Sequence, residues 1–265
     1  MCIKQPMKAA DMFNLTGRVA LVTGASSGLG VQFARALADN GAAVALVARR
    51  AERLKALKDE IAGKGGQAIA IEADVTDRAA MSRAFDATEK ALGLVTILVN
   101  NAGIAQAPMR AVEVTAEEWR KVLSVDLDAV FYNAQEAARR MLAAKKPGAI
   151  INIASVLGLG VAKGTAAYAV AKAAVIQATK ALSLELAFKG VRVNAIAPGW
   201  FVTEINHDYL TGEAGAAIKR EIPMGRFGAA GDLDGALLLL ASDAGSYITG
   251  ATIVVDGGQV VQIKG

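Results

Sequence analysis

Residues 18–30, Arg18-Val19-Ala20-Leu21-Val22-Thr23-Gly24-Ala25-Ser26-Ser27-Gly28-Leu29-Gly30, pass from a short apolar run straight into a glycine-rich turn. Helical periodicity begins at the end of that turn and continues to about residue 39. A buried strand followed at once by a glycine turn and a helix is the opening unit of a parallel α/β sheet. Glycines let the backbone take positive φ and come close to a ligand, and the helix start offers unpaired N–H groups to an anion. The spacing is Gly-x-x-x-Gly-x-Gly, and no Gly-Lys-Ser/Thr follows, so the turn is not a nucleotide-triphosphate loop. Gly24, Ser26, Ser27, Gly28, Leu29 and Gly30 are the candidate phosphate contacts of a bound dinucleotide.

The same alternation runs outward through the rest of the chain. Apolar runs at 43–48, 67–72, 94–100, 148–154, 191–197 and 252–255 predict six more strands. Amphipathic stretches at 29–39, 51–63, 77–91, 116–145, 165–188 and 232–242 predict the helices between them. Strand alternating with helix implies an α/β fold with right-handed crossovers. The expected architecture is a single-domain, Rossmann-type doubly wound fold, with a seven-stranded parallel sheet flanked by helices on both faces. A ligand crevice belongs at the carboxyl ends of its strands, where the strand order reverses. Residues 1–14 read as a loose tail and 15–265 as one domain. Segment 203–227 carries Gly212, Gly215, Pro223 and Gly225, shows no clear helix or strand pattern, and is expected to form a substrate lid.

Composition narrows the function. The 265 residues carry a net charge of +4, only 5% aromatics, and no dense basic cluster interleaved with aromatic residues. That argues against a nucleic-acid partner. Cys2 is the one cysteine and His207 the one histidine, so neither a disulfide nor a Cys- or His-based metal site is expected. The N-terminus lacks the apolar core of a signal peptide and no long apolar run follows, which points to a cytoplasmic protein away from membranes.

Two further features bear on chemistry. The second strand ends Val47-Ala48-Arg49-Arg50, where an enzyme selective for NAD usually places an acidic residue on the ribose 2′-hydroxyl. Two guanidiniums and no carboxylate suit a 2′-phosphate, which favours NADP(H) and leaves NAD(H) as the alternative. Beyond the strand 148–154 comes Ser155, then Tyr168 and Lys172 four residues apart in the next helix. One helical turn puts the phenol and the ammonium on the same face. A cation there favours the phenolate and makes proton transfer near neutral pH feasible. The Ser155 hydroxyl can bind a substrate carbonyl oxygen as charge develops on it. Singly, each residue has an ordinary structural explanation, the tyrosine half-buried and the serine a cap. Together with the glycine turn they point to carbonyl/alcohol oxidoreduction.

These motifs resemble those of the classical short-chain dehydrogenase/reductase family, from Leu15 to Gly258. The glycine motif matches Thr23–Gly30, and the family's Asn-Asn-Ala-Gly matches Asn100-Asn101-Ala102-Gly103. The Ser, Tyr, Lys pattern matches Ser155, Tyr168 and Lys172, and the closing strand motif matches Asp256-Gly257-Gly258. The resemblance implies an adenine contact at Asp74 and Val75, cofactor contacts at Asn101, Ala102 and Gly103, and a nicotinamide turn at Pro198, Gly199 and Thr203. It implies that Tyr168 is the general acid/base, that Lys172 also binds the nicotinamide ribose, and that Arg49 marks NADP(H) use. It also implies a homotetramer or homodimer built partly on the helices 116–145 and 165–188.

Two positions depart from the family pattern. Asp126, in Val125-Asp126-Leu127, stands where the family usually has an asparagine that shapes the backbone around a proton-relay water. An aspartate accepts hydrogen bonds but cannot donate as an amide does. Ser27 stands where many NADP(H) members carry a basic residue. Two other functions compete with the NADP(H) reading: an NAD-dependent dehydrogenase of a sugar, polyol or hydroxy acid, and a non-catalytic dinucleotide sensor. Trp200, Phe201 and Tyr209 are candidate pocket walls, and Gly160, Val161 and Ala162 are expected on the substrate side.

Overall fold

A computed structural model describes residues 8–204 and 206–262; Cys2 and residues 1–7 of the expected tail lie outside the described residues. One helical turn, α1 (Ala9–Met12), leads into Leu15, which is fully buried and whose N–H donates to the Asn40 carbonyl at 2.8 Å. The chain is therefore anchored to the fold at Leu15.

All seven expected strands form. They are β1 (Val19–Thr23), β2 (Ala43–Ala48), β3 (Ala68–Glu72), β4 (Ile97–Asn100), β5 (Gly148–Ile153), β6 (Val191–Pro198) and β7 (Thr252–Val255). Every pairing is parallel, and the order is β3-β2-β1-β4-β5-β6-β7. The order reverses between β1 and β4, so the carboxyl ends of these two strands frame the crevice.

The helices are α2 (Gly28–Asp39), α3 (Ala51–Gly63), α4 (Arg78–Ala91), α5 (Ala116–Leu123), α6 (Ala129–Ala143), α7 (Ala166–Leu186), α8 (His207–Thr211), α9 (Glu213–Arg220) and α10 (Asp234–Ala241). Strand residues alternate between two apolar layers. Ala20, Val22 and Leu46 meet Phe33, Leu37, Leu54 and Leu237 on one side of the sheet. Leu21, Val47 and Ile150 meet Met81, Phe85, Ala137 and Met141 on the other. Burial on both faces explains why these strands read as continuous apolar runs rather than alternating ones.

Two elements differ from the sequence expectation. The helix expected over 116–145 is interrupted at Ser124–Asp128 by one π-helical turn. Single π-helical turns of this kind are rare and gather at functional sites. Helical spacing alone puts Asp126 in line with Val122 and Val130, and the structure buries it completely. The segment 203–227, in turn, holds two short helices, α8 and α9. Neither is long enough to display a convincing apolar period.

Candidate active site

The crevice begins where β1 and β4 end side by side. The Thr23 hydroxyl accepts the N–H groups of Asn101 and Ala102, each at 3.0 Å, and the Asn101 side-chain amide donates to the Thr23 carbonyl at 2.9 Å. This packing dictates the glycines. A Cβ on Gly24 would stand 2.8 Å from the Asn101 amide, and one on Gly30 would lie 2.6 Å from that same nitrogen and overlap the Gly24 carbonyl. The turn is thereby kept bare of side chains where a ligand approaches. Ser27 starts α2 in an extended conformation without capping it, and the first turn of α2 has no acidic residue. Its N–H groups stay available to an anion. The half-buried Leu29 turns inward against the core, and the Thr203 methyl sits over Gly28, 3.3 Å from where a Cβ would be.

The next two strand ends add charge. The Arg50 guanidinium donates to the Ser26 hydroxyl at 3.1 Å and to the Ser27 hydroxyl at 2.6 Å, holding a cation against the turn. Arg49 points to solvent, with one nitrogen 4.0 Å from an Asp74 oxygen. Asp74 accepts the Thr76 N–H at 2.9 Å and its hydroxyl at 2.7 Å, and these bonds hold its carboxyl below the ordinary carboxylate value. Val75 beside it is buried in the core. At the far wall, Gly199 lies directly against Asp256, and Pro198 ends β6.

The second half of the site stands on β5 and α7. Ser155 follows β5 and caps a short 3-10 turn, Val156–Gly158, its hydroxyl accepting the Leu157 N–H at 3.1 Å. Gly158 lets this turn lie on the α7 backbone, since a Cβ there would stand 2.7 Å from the Lys172 carbonyl oxygen. Lys172 is 4% exposed. Its Nζ donates to the Ile153 carbonyl at 3.1 Å, pairs with Asp126 Oδ1 at 3.0 Å and stands 5.4 Å from the centre of the Tyr168 ring. Burial alone pushes a lysine's pKa down; charge on Tyr168 and Asp126 outweighs it and leaves Lys172 above its ordinary value. The other Asp126 oxygen accepts the Ile104 N–H at 3.2 Å, just beyond Gly103. Asp126 therefore joins the end of β4 to Lys172 on α7.

A buried polar chain supports both halves. Asn100 donates to the Val130 carbonyl at 3.1 Å and to Asn152 at 3.0 Å, and Asn152 donates to the Thr179 hydroxyl at 2.9 Å. These bonds fasten β4, α6, β5 and α7 into one frame.

A profile of the family described as Enoyl-(Acyl carrier protein) reductase matches residues 24–259. A solved short-chain type dehydrogenase/reductase from Mycobacterium marinum shares 39% identity, covering 95% of this chain and 99% of that one with a TM-score of 0.91. The chain belongs to the short-chain dehydrogenase/reductase family. D-threitol dehydrogenase of Mycolicibacterium smegmatis is 39% identical over 251 residues, 94% of this chain and 95% of its own. A gluconate 5-dehydrogenase from Burkholderia cenocepacia J2315, solved in complex with NADP and tartrate, shares 36% identity, covering 97% of this chain and 100% of that one with a TM-score of 0.91. This short-chain dehydrogenase/reductase is an NAD(P)-dependent oxidoreductase acting on an alcohol or carbonyl group.

Three features of the site are set by contacts that local sequence does not show. Arg50, rather than Arg49, touches the glycine turn. The Asn100–Asn152–Thr179 chain was signalled only by asparagines inside apolar strands. Gln106, whose side chain meets the backbone of Tyr168, carries no sequence signal at all. Some expected residues lie elsewhere. Phe201 is 5% exposed and packs in the main core, not on a pocket wall. Gly160, Val161 and Ala162 line a cavity of about 820 Å³ with Ala169, Val170 and Ala173, a different face of α7 from that of Tyr168 and Lys172. His207 is exposed beside Asp208, and the Tyr209 side chain lies outside the described residues. Among the described residues no helix is long and apolar enough to cross a membrane, and no group of three metal-ligating side chains is found.

Proposed function

We propose that this enzyme interconverts a secondary alcohol and a ketone with NADP(H), with Tyr168 exchanging the proton. The observation that carries this reading is the buried Lys172 ammonium, held by Ile153 and Asp126 next to the Tyr168 ring at the carboxyl end of β5. A bound nicotinamide would supply or accept the hydride. The chain supplies the rest. Ser155 presents a hydroxyl to the substrate oxygen, and Tyr168 donates a proton to that oxygen in reduction or removes it in oxidation. Lys172 stabilises the tyrosine's negative charge electrostatically. Gly24 to Gly30, with the open first turn of α2, would hold the pyrophosphate; Asp74 and Val75 would take the adenine, and Asn101 to Gly103, Pro198, Gly199 and Thr203 the nicotinamide half.

NADP(H) is favoured over NAD(H) because two arginines follow β2, and Arg50 already bridges to the serines of the turn. Polyols and sugar acids are the first substrates to try, since D-threitol dehydrogenase and a gluconate 5-dehydrogenase are among the relatives named above. The segment 203–227 is read as the lid. Its ends meet at the bridge between Phe201 and Gly228, and Glu204 forms an ion pair with Arg53 on α3. A homotetramer or homodimer is supported by exposed apolar side chains on the helices from α5 to α7: Trp119, Tyr132, Leu142, Val170 and Leu184.

The test is turnover of polyols, sugar acids and their keto forms with each cofactor, read as absorbance of the reduced nicotinamide, alongside Tyr168→Phe. NADP-linked turnover lost in Tyr168→Phe, with cofactor binding kept, is the expected result. Undiminished turnover in that variant removes Tyr168 from the reaction, and a clear preference for NAD overturns the reading of the arginines.

A further inference from the structure

Helix α7 begins at Ala166, so Tyr168 occupies its third position. The N–H groups of a helix's first turn have no acceptor within the helix and need one from outside. The residue just before a helix usually provides it through an extended backbone and a side-chain oxygen. Thr165 does neither. Its φ is −121° and ψ 26°, it forms no side-chain cap, and its hydroxyl donates back to the Ala162 carbonyl at 2.9 Å. The Tyr168 N–H donates instead to Gln106 Oε1 at 3.1 Å, across 62 residues of chain.

Gln106 sits on the loop that follows β4, three residues beyond Gly103. That loop is tied down on both sides of it. The Ile104 N–H donates to Asp126, the residue paired with Lys172, and the Met109 N–H donates to the Gly164 carbonyl at 3.2 Å, close to the start of α7. The loop thus reaches both members of the Tyr168–Lys172 pair, one through a side chain and the other through a backbone N–H. Its near end is the Asn101–Gly103 stretch that closes the cofactor crevice.

We propose that Gln106 is a positioning residue for Tyr168: it caps the first turn of α7 from the β4 loop and so fixes the height of the tyrosine relative to the cofactor crevice. This inference rests on Tyr168 being the proton donor. Gln106 reaches Tyr168 through its backbone and takes no part in proton exchange. Without the cap, the first turn of α7 loosens and the phenol samples positions outside productive reach. Small misplacements of that kind cost turnover far more than binding.

Three variants test it. Gln106→Met keeps the length and removes the acceptor, Gln106→Glu keeps an acceptor that suits a helix start, and Gln106→Ala replaces the methionine variant should that one misfold. The expected result is a fall in kcat of about tenfold in Gln106→Met, with the Kd for reduced cofactor and the KM for substrate within about twofold of the parent. Gln106→Glu should return kcat to within about threefold of the parent at neutral pH. Parental kcat in Gln106→Met, a loss that only follows Tm or cofactor affinity, or failure of Gln106→Glu to restore turnover would each overturn the proposal. Tyr168→Phe measured in parallel separates the two ideas. If that variant stays active, the assignment of Tyr168 fails; if it is inactive while Gln106→Met is fully active, only the positioning role fails.

Discussion

The two halves of this site are built from different materials. At the β1–α2 turn the working surface is backbone: N–H groups at a helix start, kept accessible because side chains are absent at Gly24 and Gly30. At β5–α7 the working surface is side chain: a phenol, a hydroxyl and an ammonium that burial would discharge unless a partner held it. The first half tolerates no added atoms. The second depends on charges being paired. Substitutions should therefore fail differently in the two places, by steric exclusion and loss of binding in one and by loss of turnover in the other.

Four measurements sharpen or break this contrast. The largest effect belongs to Tyr168→Phe, which should lower kcat by about 10³-fold or more while the Kd for cofactor stays near parental. A matching loss of cofactor affinity would erase the distinction between the halves. Next, Gly30→Ala pushes a methyl into the Gly24 carbonyl and the Asn101 amide. It should weaken cofactor binding by about 10²-fold, and overpacking of this kind costs about 1–3 kcal/mol of stability. Titration of cofactor fluorescence and thermal melting check both, and tight binding in this variant would show that the turn has room to spare.

Asp126→Asn addresses the charge pairing. It keeps an acceptor for the Ile104 N–H but leaves Lys172 without its carboxylate, at a cost of about 1–3 kcal/mol. Its pH dependence has a definite sign. Because the folded pKa of Lys172 is raised, its stabilising contribution is complete below the ordinary lysine value of 10.5 and is lost as pH rises above it through the folded value. The denaturation gap between parent and variant should accordingly be constant at neutral pH and narrow only at strongly alkaline pH. A gap that narrows instead between neutral and mildly acid pH would contradict the lysine assignment. The smallest effect is expected from Arg50→Ala, a drop of about tenfold in the ratio of NADP to NAD affinity, measured by competitive binding. An equal loss for both cofactors would mean that Arg50 only braces the turn.

Most of the sheet was readable in advance because both of its faces are buried, which leaves uninterrupted Val, Ile, Leu and Ala runs that few other structures need. The glycine turn between β1 and α2 was legible for a similar reason: glycine spacing after a strand is a local pattern with a local cause. Elements set by long-range contact were harder to read. The π turn at Ser124–Asp128 widens a helix whose sequence would otherwise continue, and α8 and α9 are too short for a period to show. Arg49 and Arg50 look equivalent in sequence, yet only Arg50 reaches Ser26 and Ser27.

By itself the sequence determined the alternation of strand and helix, the bare glycine turn, and a tyrosine and a lysine one helical turn apart, because each depends on neighbours within a few residues. Tertiary structure decided which charges meet. The pairing of Asp126 with Lys172 and the cap from Gln106 to Tyr168 join segments 46 and 62 residues apart. Such contacts form only where strand order and helix packing bring the segments together, and low-dielectric burial then makes each one count.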